Sequence, residues 1–190
     1  MTLTELLIPT FVQMLRNHSA WLDQAAAYEK TQGKDPDALM TLRLSPDMYP
    51  LAAQARFASY LSMEPVYRLR SEAIPEAAQA IQREGWNSGQ HPGTFNEAKA
   101  CLAHAIAFLE ALPDNALDAG EYIDIALKLP NGVIFDMTGE QYARDWALAQ
   151  FYFHTNTAYS ILRQHGVALG KAEYVAHALA YVRPGSLPTA

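Results

Sequence analysis

The sequence of 190 residues has little of several residue types that specialised classes of protein require. Its single cysteine, Cys101, excludes an intramolecular disulfide and indicates a reducing compartment. The 14 lysines and arginines never form a run and the formal net charge is −6, which argues against a nucleic-acid surface. No apolar stretch approaches the ~20 residues of a membrane span. We therefore expect a soluble, cytoplasmic protein without nucleic-acid or membrane partners.

Half of the residues are apolar, and this proportion sets the expected size of the core. A chain of 190 residues with 50% hydrophobic content can bury one sizeable core but is short for two. We therefore expect a single domain over residues 1–190. The sequence also lacks the Gly-rich loop of phosphate-binding proteins and the serine-nucleophile turn of many hydrolases.

The hydrophobic pattern is mostly helical. Apolar spacings of three and four predict a first helix over residues 9–32 and a second over residues 50–70. Capping boxes, in which a threonine and a residue three positions later bond each other's backbone, begin a third helix over residues 94–112 and a fourth over residues 139–165. A tail helix over residues 171–182 is predicted to close the chain.

Between the third and fourth helices the hydrophobic period changes. Apolar residues alternate over residues 123–129 and again over residues 133–137, and a Pro-Asn-Gly turn separates the two runs. This pattern predicts a β-hairpin before the last long helix. Farther upstream, residues 74–84 indicate a short helix, and the Gly, Pro and Asn content of residues 85–93 predicts a peripheral loop.

One face of the predicted fourth helix carries small and polar residues on either side of a histidine, His154. Spacings of three and four place this histidine in line with Ala143, Ala147, Gln150, Ala158, Ile161 and His165. Small side chains either let another helix approach closely or leave room for a ligand. The sequence leaves both interpretations open.

Two segments, RLSPDMYPLAAQ (residues 43–54) and FYFHTNTAYSILRQHGVALGKAEY (residues 151–174), resemble a domain-of-unknown-function family of small bacterial proteins in the DinB/YfiT-like superfamily. The order of helices and hairpin agrees, and the resemblance extends from the first helix to Tyr174. It implies a mainly α fold, a four-helix bundle with a β-hairpin before the last long helix. With the tail helix, this is the expected architecture.

The resemblance also implies a metal site that this sequence does not complete. Many superfamily members are dimers that hold a divalent metal through three histidines, one from the second helix and an H-x3-H pair on the fourth. His154 matches the first histidine of the pair, but Ala158 stands one turn later and the second helix has no histidine. Zinc or nickel normally needs three protein donors, so we expect no tightly bound metal. A site rebuilt from His18, His104 and His154 is the alternative.

Asp47, near the predicted start of the second helix, is the expected partner of His154. As candidate catalytic residues, the two would form a neutral general base tuned by a carboxylate, and Asp47 could add a second, weak ligand for a divalent metal such as Zn or Ni. The alternative is a core histidine satisfied by Asp47, a backbone carbonyl or water, with Asp47 as an ordinary helix N-terminal charge. The predicted ligand pocket adds Arg43, Tyr49, Gln150 and Ala158.

Two functions are consistent with these residues. The first is a bundle that binds a small-molecule ligand near His154 and Asp47 without metal chemistry. The second is a transferase or isomerase, as among the superfamily's thiol-dependent enzymes, acting with a low-molecular-weight thiol and a weakly held divalent metal. The missing ligands favour the first function. In either case we expect a homodimer, because exposed aromatic residues are often covered by pairing.

Overall fold

The computed structural model describes residues 1–186, and it contains long helices with one small hairpin. The elements are α1 (Leu3–Thr31), α2 (Leu51–Leu69), α3 (Glu76–Asn87), α4 (Phe95–Glu110), β1 (Asp124–Lys128), β2 (Ile134–Thr138), α5 (Gly139–Gln141), α6 (Leu148–Gln164) and α7 (Lys171–Tyr174). A π-helical segment, Tyr142–Ala147, joins α5 to α6 with helical backbone angles at both junctions. The predicted mainly α bundle with a hairpin before the last long helix is confirmed. Residues 187–190 of the predicted domain lie outside the described residues.

The first helix begins earlier than its hydrophobic pattern predicted. The Thr2 hydroxyl accepts from the backbone N–H of Glu5 at 3.3 Å, and the Glu5 carboxylate accepts from the backbone N–H of Thr2 at 2.8 Å. These reciprocal bonds satisfy N–H groups that a helix start otherwise leaves without partners. Pro9 therefore lies inside α1, and the prediction that the first helix begins at Pro9 was wrong.

The hairpin and the cap that follows it agree with the sequence prediction. β1 and β2 are antiparallel, with Ile125 opposite Met137 and Leu127 opposite Phe135. Ile125 and Leu127 are buried, so β1 covers the bundle, whereas most of β2 is exposed. The Thr138 hydroxyl then caps α5 by accepting from the backbone N–H of Gln141 at 3.2 Å. The hairpin thus leads directly into the last long helix.

The predicted loop over residues 85–93 is wrong in its first part, because α3 continues to Asn87. Gly85 lies against the aromatic ring of Phe57 on α2, and a Cβ atom at position 85 would be 2.5 Å from a ring carbon. The glycine therefore allows two helices to approach closely instead of ending one of them. The tail is also less regular than predicted, since α7 is followed by a 3₁₀ segment, Ala176–Tyr181.

The second helix lies at the centre of the bundle. Every residue from Pro50 to Tyr60 is buried, and α2 packs against α3, α4 and α6. Pro65 lies within this helix and does not end it. Among residues 1–186, no helix combines the length and apolar character needed to cross a bilayer.

Candidate functional site

A cavity of about 560 Å³ lies between α2, α3, the hairpin and the last long helix. Spacings of three and four place the residues from each helix on one face. Its main lining residues are Phe57, Tyr60, Glu64 and Arg68 on α2, Trp86 on α3, Lys128 on β1, and Trp146, Gln150 and His154 on the last long helix. Phe57 and Arg68 are three helical turns apart, which corresponds to ~16 Å along the axis. The cavity is therefore elongated, with His154 beside Phe57 near one end.

A chain of hydrogen bonds fixes the orientation of His154. The Gln54 side-chain NH₂ group donates to the backbone carbonyl of Tyr49 at 3.0 Å, so its Oε1 must point the other way. This oxygen lies 2.8 Å from His154 Nδ1, and because it can only accept, Nδ1 carries the proton. Nε2 has no hydrogen-bond partner within residues 1–186. His154 therefore presents a lone pair at the cavity.

The surroundings of His154 keep the ring neutral. The Phe57 ring centroid lies 4.8 Å from that of the imidazole, and the Phe153 centroid lies 5.2 Å away at right angles. Burial lowers the pKa of His154 from the ordinary 6.5 to about 4. At neutral pH the side chain is consequently an uncharged hydrogen-bond acceptor.

The other end of the cavity contains an ion pair on α2. Arg68 donates from Nη2 and Nε to the same oxygen of Glu64, at 2.7 and 2.8 Å. Burial, together with the negative charge of Glu64, raises the pKa of the neighbouring Tyr60. The hydroxyl of Tyr142 is enclosed close to the same ion pair, and burial together with the charge of Glu64 raises its pKa. This end is polar and charged, in contrast to the aromatic surroundings of His154.

Three of the six predicted site residues meet at the cavity, namely Tyr49, Gln150 and His154. Ala158 is completely buried in the core, so it contributes packing and does not line the cavity. Arg43 is turned back on its own loop, where Nη1 donates to the carbonyl of Pro46 at 3.3 Å.

Asp47 does not reach His154. It is exposed on the turn before α2, where its carboxylate accepts a hydrogen bond from the Ser45 hydroxyl, and this bond lowers the pKa of Asp47. The predicted contact between the two candidate catalytic residues is therefore wrong. On the turn before α2, the Asp47 carboxylate is held by Ser45 and is not directed at the last long helix. Gln54, one turn into α2, takes the place of the expected partner.

The residues present do not fit the three-histidine metal site that the resemblance implies. Gln54 faces His154 from α2, and Ala158 offers no donor one turn along α6. His18 is fully buried without a partner and His104 is exposed, so the site rebuilt from three helices is also wrong. Nowhere in residues 1–186 do three or more His, Cys, Asp or Glu side chains form a cluster suited to a metal.

Most of the site was missed from the sequence, and Gln54 and Trp86 illustrate two reasons. Gln54 belongs to the segment that carries the family resemblance, but a buried amide on a helix gives no signal of its partner. Trp86 lies in the stretch predicted to be a peripheral loop, because neighbouring glycine and asparagine residues were read as helix breakers. A lone tryptophan next to such a stretch was the available signal, since large aromatic residues are seldom left without a packing role.

Comparisons with known proteins agree with this architecture. A DinB family member protein from Shewanella denitrificans, solved by crystallography, is 27% identical in sequence, with a TM-score of 0.75 over 98% of this chain and 96% of that chain. No curated protein matches the sequence. The family described as "Domain of unknown function (DUF1993)" matches residues 3–175. The chain therefore belongs to the DUF1993 family and has a DinB-like fold.

Proposed function

We propose that the protein binds a small, largely aromatic molecule in the cavity beside His154, without a metal. The observation that carries this proposal is the hydrogen-bond chain from Tyr49 through Gln54 to His154, which leaves Nε2 as an acceptor at a cavity of about 560 Å³. Ligand sites typically combine apolar walls with a few fixed polar groups. Here the walls are aromatic, and His154 supplies the acceptor.

The pKa of His154 favours binding over acid–base catalysis. A general base works best when its pKa lies near the operating pH. With a pKa lowered to about 4, the imidazole of His154 takes up a proton only weakly at neutral pH. Asp47, which was expected to increase its basicity, is exposed on its turn and bonded to Ser45 instead. The site is thus better suited to recognising a ligand that donates a hydrogen bond than to removing a proton from it.

The alternative, a transferase or isomerase acting with a low-molecular-weight thiol and a weakly held metal, receives no comparable support. Such chemistry needs a metal or a cationic group beside the thiolate. The rings beside His154 are those of Phe57 and Phe153, and the guanidinium-bearing Arg68 lies three helical turns from Phe57 along α2.

A pair of matched ligands tests the proposal. 4-Phenylphenol and 4-methoxybiphenyl have the same two rings, but only the first can donate to His154. We expect isothermal titration calorimetry to show tighter binding of the phenol by about tenfold, the effect of one buried hydrogen bond. His154→Phe should remove this preference, whereas His104→Phe, at an exposed position of α4, should retain it. Equal affinity of the two ligands for the unmodified protein contradicts the proposal.

The pH dependence provides a second check. Because the pKa of His154 is lowered to about 4, Nε2 keeps its lone pair throughout the neutral range. The affinity for 4-phenylphenol should therefore stay constant from about pH 8 to pH 5 and fall only as the pH approaches the pKa. An affinity that already halves at pH 6.5 would indicate an ordinary, solvated histidine instead.

A cytoplasmic homodimer is part of the proposal. Three exposed aromatic side chains, Tyr49 (45% exposed), Trp86 (46%) and Phe153 (58%), belong to the cavity wall or lie beside His154, and a second copy of the chain could cover them. Sedimentation velocity tests this assembly, since Phe153→Ser should shift a dimer toward the monomer. A monomer at all accessible concentrations excludes it.

A further inference from the structure

We propose that the ligand carries a carboxylate, which binds to Arg68 at the end of the cavity remote from His154 and is further attracted by Lys128, a second cation of the cavity lining. This inference rests on the proposed function and adds the chemical class of the ligand: an elongated aromatic acid with a hydrogen-bond donor at its opposite end. It depends on the charges that line the cavity and on their spacing from His154.

The charged lining of the cavity is unbalanced. Glu64 contributes one negative charge, and Arg68 and Lys128 contribute two positive charges. The carboxylate of Glu64 is paired with Arg68, while Lys128 forms no ion pair within residues 1–186. The lining therefore carries one positive charge in excess. Because Lys128 is exposed, solvent screens this charge, and its attraction for an anion falls as the salt concentration rises. This excess positive charge would repel a cationic ligand.

Arg68 keeps hydrogen-bonding capacity for a second carboxylate. A guanidinium group has five N–H donors in a planar fork, and only Nε and one N–H of Nη2 are directed at Glu64. Both converge on one Glu64 oxygen, so the guanidinium is not engaged in a two-oxygen, bidentate pair. The remaining N–H groups can bind an incoming carboxylate without breaking the existing contact.

The length of the cavity fits a ligand with two polar ends. Phe57, which contacts the His154 ring, and Arg68 are separated by ~16 Å along α2. A two-ring aromatic acid with a terminal hydroxyl spans most of this distance. The aromatic side chains of Tyr60, Trp86 and Trp146 line the interval between the two polar ends, where flat rings would pack.

The test adds a carboxylate to the ligand that already probes His154. 4′-Hydroxybiphenyl-4-carboxylate should bind about fivefold more tightly than 4-phenylphenol, a ratio equivalent to ~1 kcal/mol at 25 °C. Lys128→Met should reduce this ratio, and Lys30→Met, an exposed control on α1, should not. Glu64→Gln should increase the ratio because it removes the competing carboxylate. Each ratio is taken within one variant, so a general loss of folding affects both ligands equally.

The results that overturn the inference differ from those that overturn the proposed function. If 4-phenylphenol binds through His154 but the added carboxylate gives no gain, the carboxylate site is wrong and the binding function stands. Tighter binding of the corresponding 4-aminomethyl compound, or equal effects of Lys128→Met and Lys30→Met, also refutes the site. If 4-phenylphenol shows no advantage over 4-methoxybiphenyl, the proposed function fails and the inference fails with it.

Discussion

Replacing His18 with leucine is expected to stabilise the protein, and to do so more strongly as the pH falls. The imidazole is completely enclosed on α1, and neither ring nitrogen has a hydrogen-bond partner within residues 1–186. A buried polar group without a partner costs about 1–3 kcal/mol, and leucine fills a similar volume without one. The substitution should therefore raise the free energy of unfolding at pH 7 by an amount in this range.

The pH dependence follows from the same burial. Desolvation, aided by the positive charge of Lys99, lowers the pKa of His18 from 6.5 to about 3. Above pH 6.5 the ring is neutral in both the folded and the unfolded chain, and it contributes no pH dependence. Between pH 6.5 and about 3 only the unfolded chain binds the proton, so stability falls by about 1.4 kcal/mol per pH unit. At pH 5 this loss reaches about 2 kcal/mol, and His18→Leu removes it.

Urea unfolding followed by circular dichroism at pH 7 and pH 5 measures both effects. The control is His104→Leu, which changes an exposed histidine on α4 and should show no additional gain at pH 5. If His18→Leu lowers the free energy of unfolding at both pH values, the ring nitrogens have hydrogen-bond partners and the reasoning is refuted. If His18→Leu raises the free energy of unfolding equally at the two pH values, the result contradicts the lowered pKa of His18 but not the cost of its unpaired ring nitrogens.

Three further substitutions or titrations test separate parts of the structure. Gly139→Ala should lower the free energy of unfolding in urea by several kcal/mol, because the alanine Cβ atom would lie 1.7 Å from the carbonyl oxygen of Gly120. The control is Gly89→Ala, where the added Cβ atom has no other atom within 4 Å and stability should change by no more than ~0.5 kcal/mol. Gln54→Leu should cost ~1–3 kcal/mol because it leaves the Nδ1 proton of His154 without an acceptor, and nitrogen NMR should show the imidazole losing its single tautomer. Zinc or nickel added to protein purified without an affinity tag should give no saturable rise in melting temperature, since a single imidazole holds such ions weakly; a rise equivalent to ~3 kcal/mol would indicate tight binding to the folded state.

The features that the sequence predicted well depend on residues close together in the chain. A capping box is complete within four residues, as at Thr94 and Thr138, where both reciprocal bonds are formed. The hairpin is similarly local, since its two alternating runs are separated only by a turn. The order of the long helices followed from these boundaries together with the helical period. Local interactions of this kind act in the same way whatever the rest of the fold does.

The site was predicted less well because it depends on contacts between distant segments. Gln54 and His154 are 100 positions apart, and their hydrogen bond requires the register of two packed helices. Asp47 appeared to be the better partner because a carboxylate beside a histidine is common chemistry. The structure directs the amide of Gln54 at His154 and the carboxylate of Asp47 at Ser45, and this choice depends on the packing of the two helices, which the sequence pattern does not define.

The position of Trp86 illustrates a second limit. Glycine at position 85 has a local preference against helix, but its small size is what the contact with Phe57 requires. The packing of α3 on α2 therefore outweighs a propensity cost of about 1 kcal/mol. The π-helical segment at Tyr142–Ala147 was not predicted either, because no spacing in the sequence indicated it.

The cavity owes its existence to the elements added around the bundle and not to the stripe of small residues. Ala143, Ala147 and Ala158 are almost completely buried, which shows that neighbouring side chains fill the space beside them. The cavity lies where α3 and residues 127–130 of the hairpin cover the bundle, and these segments supply Trp86 and Lys128. α3 and the hairpin thus complete the cavity, while its other polar side chains, His154 and Arg68 among them, lie on the helices that also form the core. The residues that shape the candidate site are consequently only partly separate from those that stabilise the core.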